Sequence, residues 1–208
     1  MSQDAIAFEA LTMRFADRVI LDECTYVFSA PGITVLIGPS GSGKTTVLNL
    51  IAGYLQPSAG GLSKHGTIGY LLQEDTLLTK LTVAQNATVW ARADQGRWSF
   101  DKQVELMHTV GLGDRQDQSV SELSGGERKR LQLALTMCRQ PDFLLLDEPT
   151  ASLDSENKRI LAKLLLKLAE NIGIIMTTHD IDFVGWLPGA LQLRLLDGRI
   201  SGAKRGLI

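Results

Sequence analysis

The sequence predicts an α/β domain with a mostly parallel sheet, interrupted by helices over about residues 74–140. Three observations carry that expectation. Ile33–Ile37, Gly38–Thr46 and Val47–Ala52 read in succession as strand, glycine loop and helix. Phe143–Leu146 is an apolar run of buried parallel-strand type, and it ends on two acids, Asp147 and Glu148. The segment between them carries apolar residues at helical period.

The 208 residues, 44% hydrophobic and 21% charged, suit one compact domain with a sizeable core. The expected division is a single domain over 1–208, with a core at about 1–73 and 141–208 and a helical subdomain at about 74–140. A formal charge of −2 argues against a broad polyanion-binding face, so nucleic acid is not an expected partner. No signal peptide or bilayer-length apolar run is read, and Cys24 and Cys138 match no metal spacing. They are read as buried thiols of a protein inside the cell.

In chain order, Ile6-Ala7-Phe8 and Val19-Ile20-Leu21 read as strands, and Pro31-Gly32 as a turn before the strand that feeds the glycine loop. Gln56–Gly61 reads as a run of breakers, and Thr67–Leu72 as a strand. Helices are expected over Val83–Ala93 behind a Thr82 cap, and over Lys102–Val110 behind an Asp101 cap. A third is expected from Gly126 to Arg139, stopped by Pro141. Ser155–Asn171 is an amphipathic helix, Ile172–Thr177 a strand, Ile181–Trp186 a short helix and Ala190–Leu196 a strand. Asp197-Gly198 then turns into Arg199-Ile200-Ser201.

Gly38-Pro39-Ser40-Gly41-Ser42-Gly43-Lys44-Thr45-Thr46 has the spacing and flanks of a phosphate-binding loop. Its glycines let successive backbone N–H groups turn inward, and the following helix adds its unpaired N-terminal donors. Lys44 is expected on the β- and γ-phosphates and Thr45 on Mg²⁺, so a nucleoside triphosphate is the expected ligand. Asp147 and Glu148 fall at the carboxyl end of a strand, where open α/β sheets bind ligands. Asp147 is expected on Mg²⁺ and Glu148 as the base for an attacking water. Standing alone, the pair would read as exposed turn acids; beside a phosphate loop it reads as part of the site. Leu123-Ser124-Gly125-Gly126-Glu127 opens a helix and fits a second anion site, although Ser124 and Glu127 also fit a capping box.

Together these motifs resemble the nucleotide-binding subunit of the ATP-binding cassette (ABC) family over about residues 6–202. Gly38–Thr46 resembles its Walker A loop, Gln73 its Q-loop, Leu123–Glu127 its signature, and Phe143–Glu148 its Walker B strand. Ala151-Ser152-Leu153-Asp154 resembles its D-loop, and His179 its switch histidine. Phe15 stands where the family places the aromatic ring that stacks on adenine. The resemblance implies a P-loop NTPase core, RecA-like and mostly parallel, with an antiparallel β region and an inserted α-helical subdomain.

It further implies a head-to-tail dimer in which ATP lies between two copies, or between this chain and a homologous cassette. Ser124, Gly125 and Gly126 of one copy then complete the site of the other, and Asp154 of the D-loop is a further nucleotide-site residue. Gln73 would sense Mg²⁺ and the attacking water, and His179 would contact the γ-phosphate and hold Glu148. Against the usual pattern, Glu127 stands where many members have Gln, and Leu135-Thr136-Met137-Cys138 replaces a small-Arg-small run. The short span from Lys44 to Gln73 suggests a trimmed antiparallel region.

In such a reading the chain sits at the cytoplasmic face of a membrane and drives separate integral-membrane permease subunits. These would dock in a groove over about Gln73–Arg92, including Leu77, Leu78, Leu81 and Trp90. Those residues fit internal packing equally well. The Glu148–Asp154 phrase leans towards the macrolide and lipoprotein-release exporters, while Leu78–Asn86 also resembles some importers. The alternative within the family is mechanical signalling across a membrane of the cell-division type.

Overall fold

The structure, a computed structural model, describes residues 4–72, 74, 76–93 and 100–205. Two strands open the chain, β1 (Ala5–Phe15) and β2 (Arg18–Ser29), followed by β3 (Gly32–Ile37) and helix α1 (Lys44–Ala52). Next come β4 (Ala59–His65), β5 (Ile68–Leu71) and three consecutive helices, α2 (Val83–Ala93), α3 (Phe100–Thr109) and α4 (Gly125–Met137). The chain then alternates through β6 (Phe143–Asp147), α5 (Ser155–Leu168), β7 (Gly173–Thr177), α6 (Ile181–Gly185), β8 (Leu191–Leu196) and β9 (Arg199–Arg205).

The main sheet has the order β5-β6-β7-β3-β8-β9 and is parallel except for its last strand. A second, antiparallel sheet has the order β2-β1-β4. Both faces of the main sheet are covered, which is why Phe143–Asp147 and Gly173–Thr177 are buried at every position. Alternate residues divide between two cores. Val35, Leu144, Leu146, Ile174 and Met176 pack with residues of α2, α4 and α5. Leu36, Phe143, Leu145 and Ile175 pack with α1 and the antiparallel sheet. Each such side chain contributes about 1.5–3 kcal/mol relative to exposure.

Register sets up the site. Leu36 pairs with Thr177, and Thr177 with Asp147, so β3, β7 and β6 end in one row. At roughly 4.8 Å per strand, the glycine loop after β3 and the acids after β6 lie about 10 Å apart across β7.

Several expected boundaries move. The breakers at Ala59–Gly61 are the start of a strand: β4 pairs with β1 through Glu9 and Gly61. Gly60 (φ 80) lies beside an irregularity of β1 where Ala10 has φ 45, and a Cβ on Gly60 would strike the Ala10 carbonyl oxygen. Glycine there permits close backbone approach at a bulge and does not end the chain segment. Asp101 lies inside the first turn of α3, so it is not its cap. Helix α4 stops at Met137, short of Arg139, and Gln140 turns to φ 47 before Pro141. Thr82 does cap α2: its hydroxyl accepts from Gln85 N at 3.1 Å and its N–H donates to Gln85 Oε1 at 2.9 Å.

Candidate nucleotide site

Strand β3 delivers the loop Gly38–Gly43 to the N-terminus of α1. Gly41 (φ 74) and Gly43 (φ 101) take left-handed conformations that turn the backbone. Gly38 is fixed by contact, since a Cβ would run into the Leu195 carbonyl oxygen of β8. The Lys44 ammonium folds over the loop and donates to the carbonyls of Gly38 (2.9 Å) and Pro39 (3.1 Å). Pro39, Ser40, Gly41 and Thr45 are exposed, while Gly38, Ser42, Gly43 and Thr46 are half-buried. Ser42 Oγ is buried with no hydrogen-bond partner. The loop therefore turns back on itself before α1, with Ser42 N donating to the Pro39 carbonyl at 3.2 Å and the Lys44 ammonium lodged across it.

Phe15 ends β1 as a residue 46% exposed, and it pairs across the hairpin with Arg18. The Arg18 guanidinium donates to the Gly41 carbonyl at 3.0 Å, which ties this hairpin to the loop. Phe15 is thus an exposed ring on a hairpin tied to the loop.

On the far side of β7, Asp147 is 6% exposed and accepts from Thr177 Oγ1 at 2.6 Å. The same hydroxyl oxygen accepts from Glu148 N at 3.0 Å. Thr177 thereby holds both acids, with Glu148 in a left-handed turn at φ 46. Glu148 Oε2 is buried and makes no well-aligned hydrogen bond, but His179 Nδ1 lies 3.0 Å from it. The Glu148 side chain is 18% exposed and that of His179 80%. His179 is placed by Asp180, whose carboxylate caps α6 through Phe183 N at 3.0 Å and accepts from Lys158 Nζ at 2.6 Å. The Lys158 ammonium holds the Asp180 carboxyl below its ordinary range. A cavity of ≈ 660 Å³ opens between Gly38, Pro39, Thr178 and His179, with Gln192 and Arg194 also lining it.

The donor set suits a small hard cation. Thr45 offers a hydroxyl at the start of α1 and Asp147 a carboxylate oxygen at the end of β6. Among the described residues, no three His, Cys, Asp or Glu side chains cluster as a metal cage. Mg²⁺ is characteristically held by one or two protein oxygens together with phosphates.

Ser124, Gly125 and Gly126 form the start of α4. The hydroxyl of Ser124 accepts from Glu127 N at 3.2 Å, and Ser124 N donates to Glu127 Oε2 at 2.8 Å. The capping box is therefore formed, and the Ser124 N–H holds the Glu127 carboxyl below its ordinary range. It spends the serine hydroxyl as an acceptor while leaving its proton to donate elsewhere. Asp154 caps α5 through Asn157 N at 2.8 Å. Within one chain, Gly38–Thr46, Asp147, Glu148 and His179 share one edge of the sheet, whereas Ser124–Gly126 and Asp154 begin α4 and α5. Gln73 lies outside the described residues.

Three contributors were not singled out from sequence: Thr177, Arg18 and Asn157. A threonine ending the strand before Thr178-His179 is the one signal that was readable. In the expected docking groove, Leu77 is 7% exposed and belongs to the core, so it is no surface contact. Leu78 is exposed, and Trp90 lines a cavity of ≈ 350 Å³ with Tyr54, Tyr70 and Thr136. Cys24 and Cys138 are buried thiols that form no disulfide, and burial pushes the Cys24 thiol up.

A glycine phosphate loop facing a strand-end acid pair defines a nucleotide-binding α/β domain. The family model described as ABC transporter matches residues 21–151. The taurine import ATP-binding protein TauB of Pseudomonas aeruginosa is 33% identical over 207 residues, covering 91% of this chain and 78% of that protein. The lipoprotein-releasing system ATP-binding protein LolD 1 of Rhodopirellula baltica is 35% identical, covering 79% of this chain and 80% of that one. The zinc import ATP-binding protein ZnuC of Marinobacter nauticus is 35% identical, with coverages of 88% and 72%. Among solved structures, the ADP conformation of MJ1267, an ATP-binding cassette of an ABC transporter, superposes with a TM-score of 0.86. It is 21% identical and covers 98% of this chain and 91% of that one. The dimeric post-hydrolysis state of the cassette MJ0796, bound to ADP and Pi, gives a TM-score of 0.80 at 22% identity, with coverages of 96% and 98%. The chain belongs to the ABC transporter family, as an ATP-binding subunit and ATPase.

Proposed function

We propose that this chain hydrolyses ATP between two cassettes and so powers movement of a substrate across a membrane through separate transmembrane subunits. The observation that carries the reading is Glu148, fixed at the end of β6 by Thr177 and approached by His179 at 3.0 Å, across one strand from the phosphate loop. In this reading Lys44 and the N–H groups of Gly41–Thr46 hold the β- and γ-phosphates, and Phe15 stacks on the base. Thr45 and Asp147 would hold Mg²⁺, with Gln73 completing that set. The bound ion would neutralise charge on the phosphates.

Glu148 takes a proton from water, whose oxygen attacks the γ-phosphorus as the bond to the bridging oxygen breaks; ADP and phosphate leave. His179 orients Glu148 and meets the γ-phosphate. Ser124, Gly125, Gly126 and Asp154 face the site of the second copy. The γ-phosphate then bridges two chains, and its loss releases them. The core at about 1–73 and 141–208 and the helical segment at about 74–140 act as the two halves of each cassette.

No helix among the described residues is long and apolar enough to cross a membrane. The proposed place is the cytoplasmic face of a membrane, bound to integral-membrane subunits. Relatives named for import and for release are 33% and 35% identical to this chain, which supports assigning the direction of movement to the transmembrane partner. Reconstitution with the membrane protein that co-purifies with this chain tests the reading. ATP-dependent flux of substrate into or out of vesicles is expected; ATP turnover with no flux would contradict it.

A further inference from the structure

Asn157 is the second residue after Ser155 on α5, yet its side chain is engaged on three sides. Its Oδ1 accepts from Arg130 Nη1 at 2.8 Å, and its Nδ2 lies 3.1 Å from both carboxylate oxygens of Asp154. Arg130 belongs to α4 and is pinned in turn, because its Nε donates to the Val110 carbonyl at 3.0 Å. The polarity has one solution. Arg130 can only donate and the Asp154 carboxylate can only accept, so a side chain with both functions on one carbon is required between them. The amide also lies against Gly126: a Cβ built there would strike Asn157 Oδ1 and Cγ. An exposed asparagine could swing away cheaply, but this one would surrender its hydrogen bonds to do so.

We propose that Asn157 is a positioning residue that sets Ser124–Gly126 and Asp154 at a fixed spacing, so that both reach the partner's nucleotide together. The proposal rests on the two-cassette reading above. Gly126 is then demanded in cis by the Asn157 amide, in addition to any closeness to phosphate in trans. Asn157→Asp sets a carboxylate oxygen against Asp154 and breaks the spacing, while the Lys44 site of the same chain, built on β3 and α1, is untouched.

The test measures three quantities in the full chain carrying Glu148→Gln: nucleotide affinity at low protein concentration, the ATP concentration for half-maximal dimer formation, and melting temperature. Asn157→Asp is expected to raise the half-maximal ATP concentration about tenfold, within the coupling range of contacting residues, with monomer affinity unchanged. Asn157→Gln, which keeps both amide functions, is expected to recover part of the loss. Dimerisation that is unchanged in Asn157→Asp, or a parallel fall in monomer affinity, would overturn the proposal while leaving the two-cassette reading intact. Absence of an ATP-driven dimer with Asn157 intact would overturn both.

A second measurement stands apart from dimerisation. Gly126→Ala should lower the melting temperature by less in an Asn157→Ala background than in the parent, because the clash is then gone. Strictly additive losses would contradict the contact.

Discussion

Thr177 Oγ1 donates to Asp147 Oδ1 at 2.6 Å and accepts from Glu148 N at 3.0 Å, so one hydroxyl on β7 holds both the carboxylate that ends β6 and the backbone of the acid that follows it. The neighbouring strand thus fixes the Asp147 carboxylate and the Glu148 backbone. That arrangement is available because β6 and β7 are in register at Asp147 and Thr177.

Thr177→Val keeps the shape of the side chain and removes both bonds. Thr177 is fully buried, so Asp147 and the Glu148 N–H lose partners that water cannot replace. The expected cost is about 1–3 kcal/mol, seen as a melting temperature lower by roughly 2–4 °C per kcal/mol for a chain of this size. ATP turnover should fall as well, whereas Thr177→Ser should retain most of both properties.

Glu148→Gln removes the proposed base but keeps the volume. Steady-state ATPase assays should show hydrolysis lower by about 10²- to 10⁴-fold, the usual contribution of a general base, with nucleotide affinity retained. His179→Ala should lower turnover without abolishing nucleotide binding, because its ring reaches Glu148 and lies outside the loop.

Lys44→Ala removes the cation that now bridges Gly38 and Pro39 carbonyls. Bonds to charged groups are worth about 1.5–3 kcal/mol. The affinity for ATP, measured by titration of a fluorescent analogue, should therefore weaken by about 10- to 100-fold. ADP, lacking the γ-phosphate, should be affected less.

Asp180 makes a pH-dependent contribution. Its carboxyl is held low by Lys158, so the stability it supplies is present above the unfolded value of about 3.9. That stability is lost as pH falls through the depressed folded value. Melting curves of the parent and Asp180→Asn should differ at neutral pH and converge as the solution is made more acidic than about pH 4.

The phosphate loop, the acid pair and the signature turn were legible because each is a contiguous run whose function is local: glycines that turn, a helix start that donates, a strand that ends. Residues whose part depends on what pairs opposite them were not. Thr177 matters through its register with Asp147, and Asn157 through Arg130, which lies far from it along the chain. Strand β4 was hidden for a related reason. Its Gly60-Gly61 reads locally as a turn, and only the bulge of β1 at Ala10 shows why Gly60 carries no side chain. Leu77 shows the converse: an apolar residue in a surface-like segment that the core had already claimed.

In the proposed function, ATP joins two copies of this chain through one γ-phosphate. Light scattering of the Glu148→Gln protein tests it most directly. A monomer is expected without nucleotide or with ADP, and a particle of twice the mass with ATP. A protein that binds ATP yet stays monomeric at saturating nucleotide would contradict it.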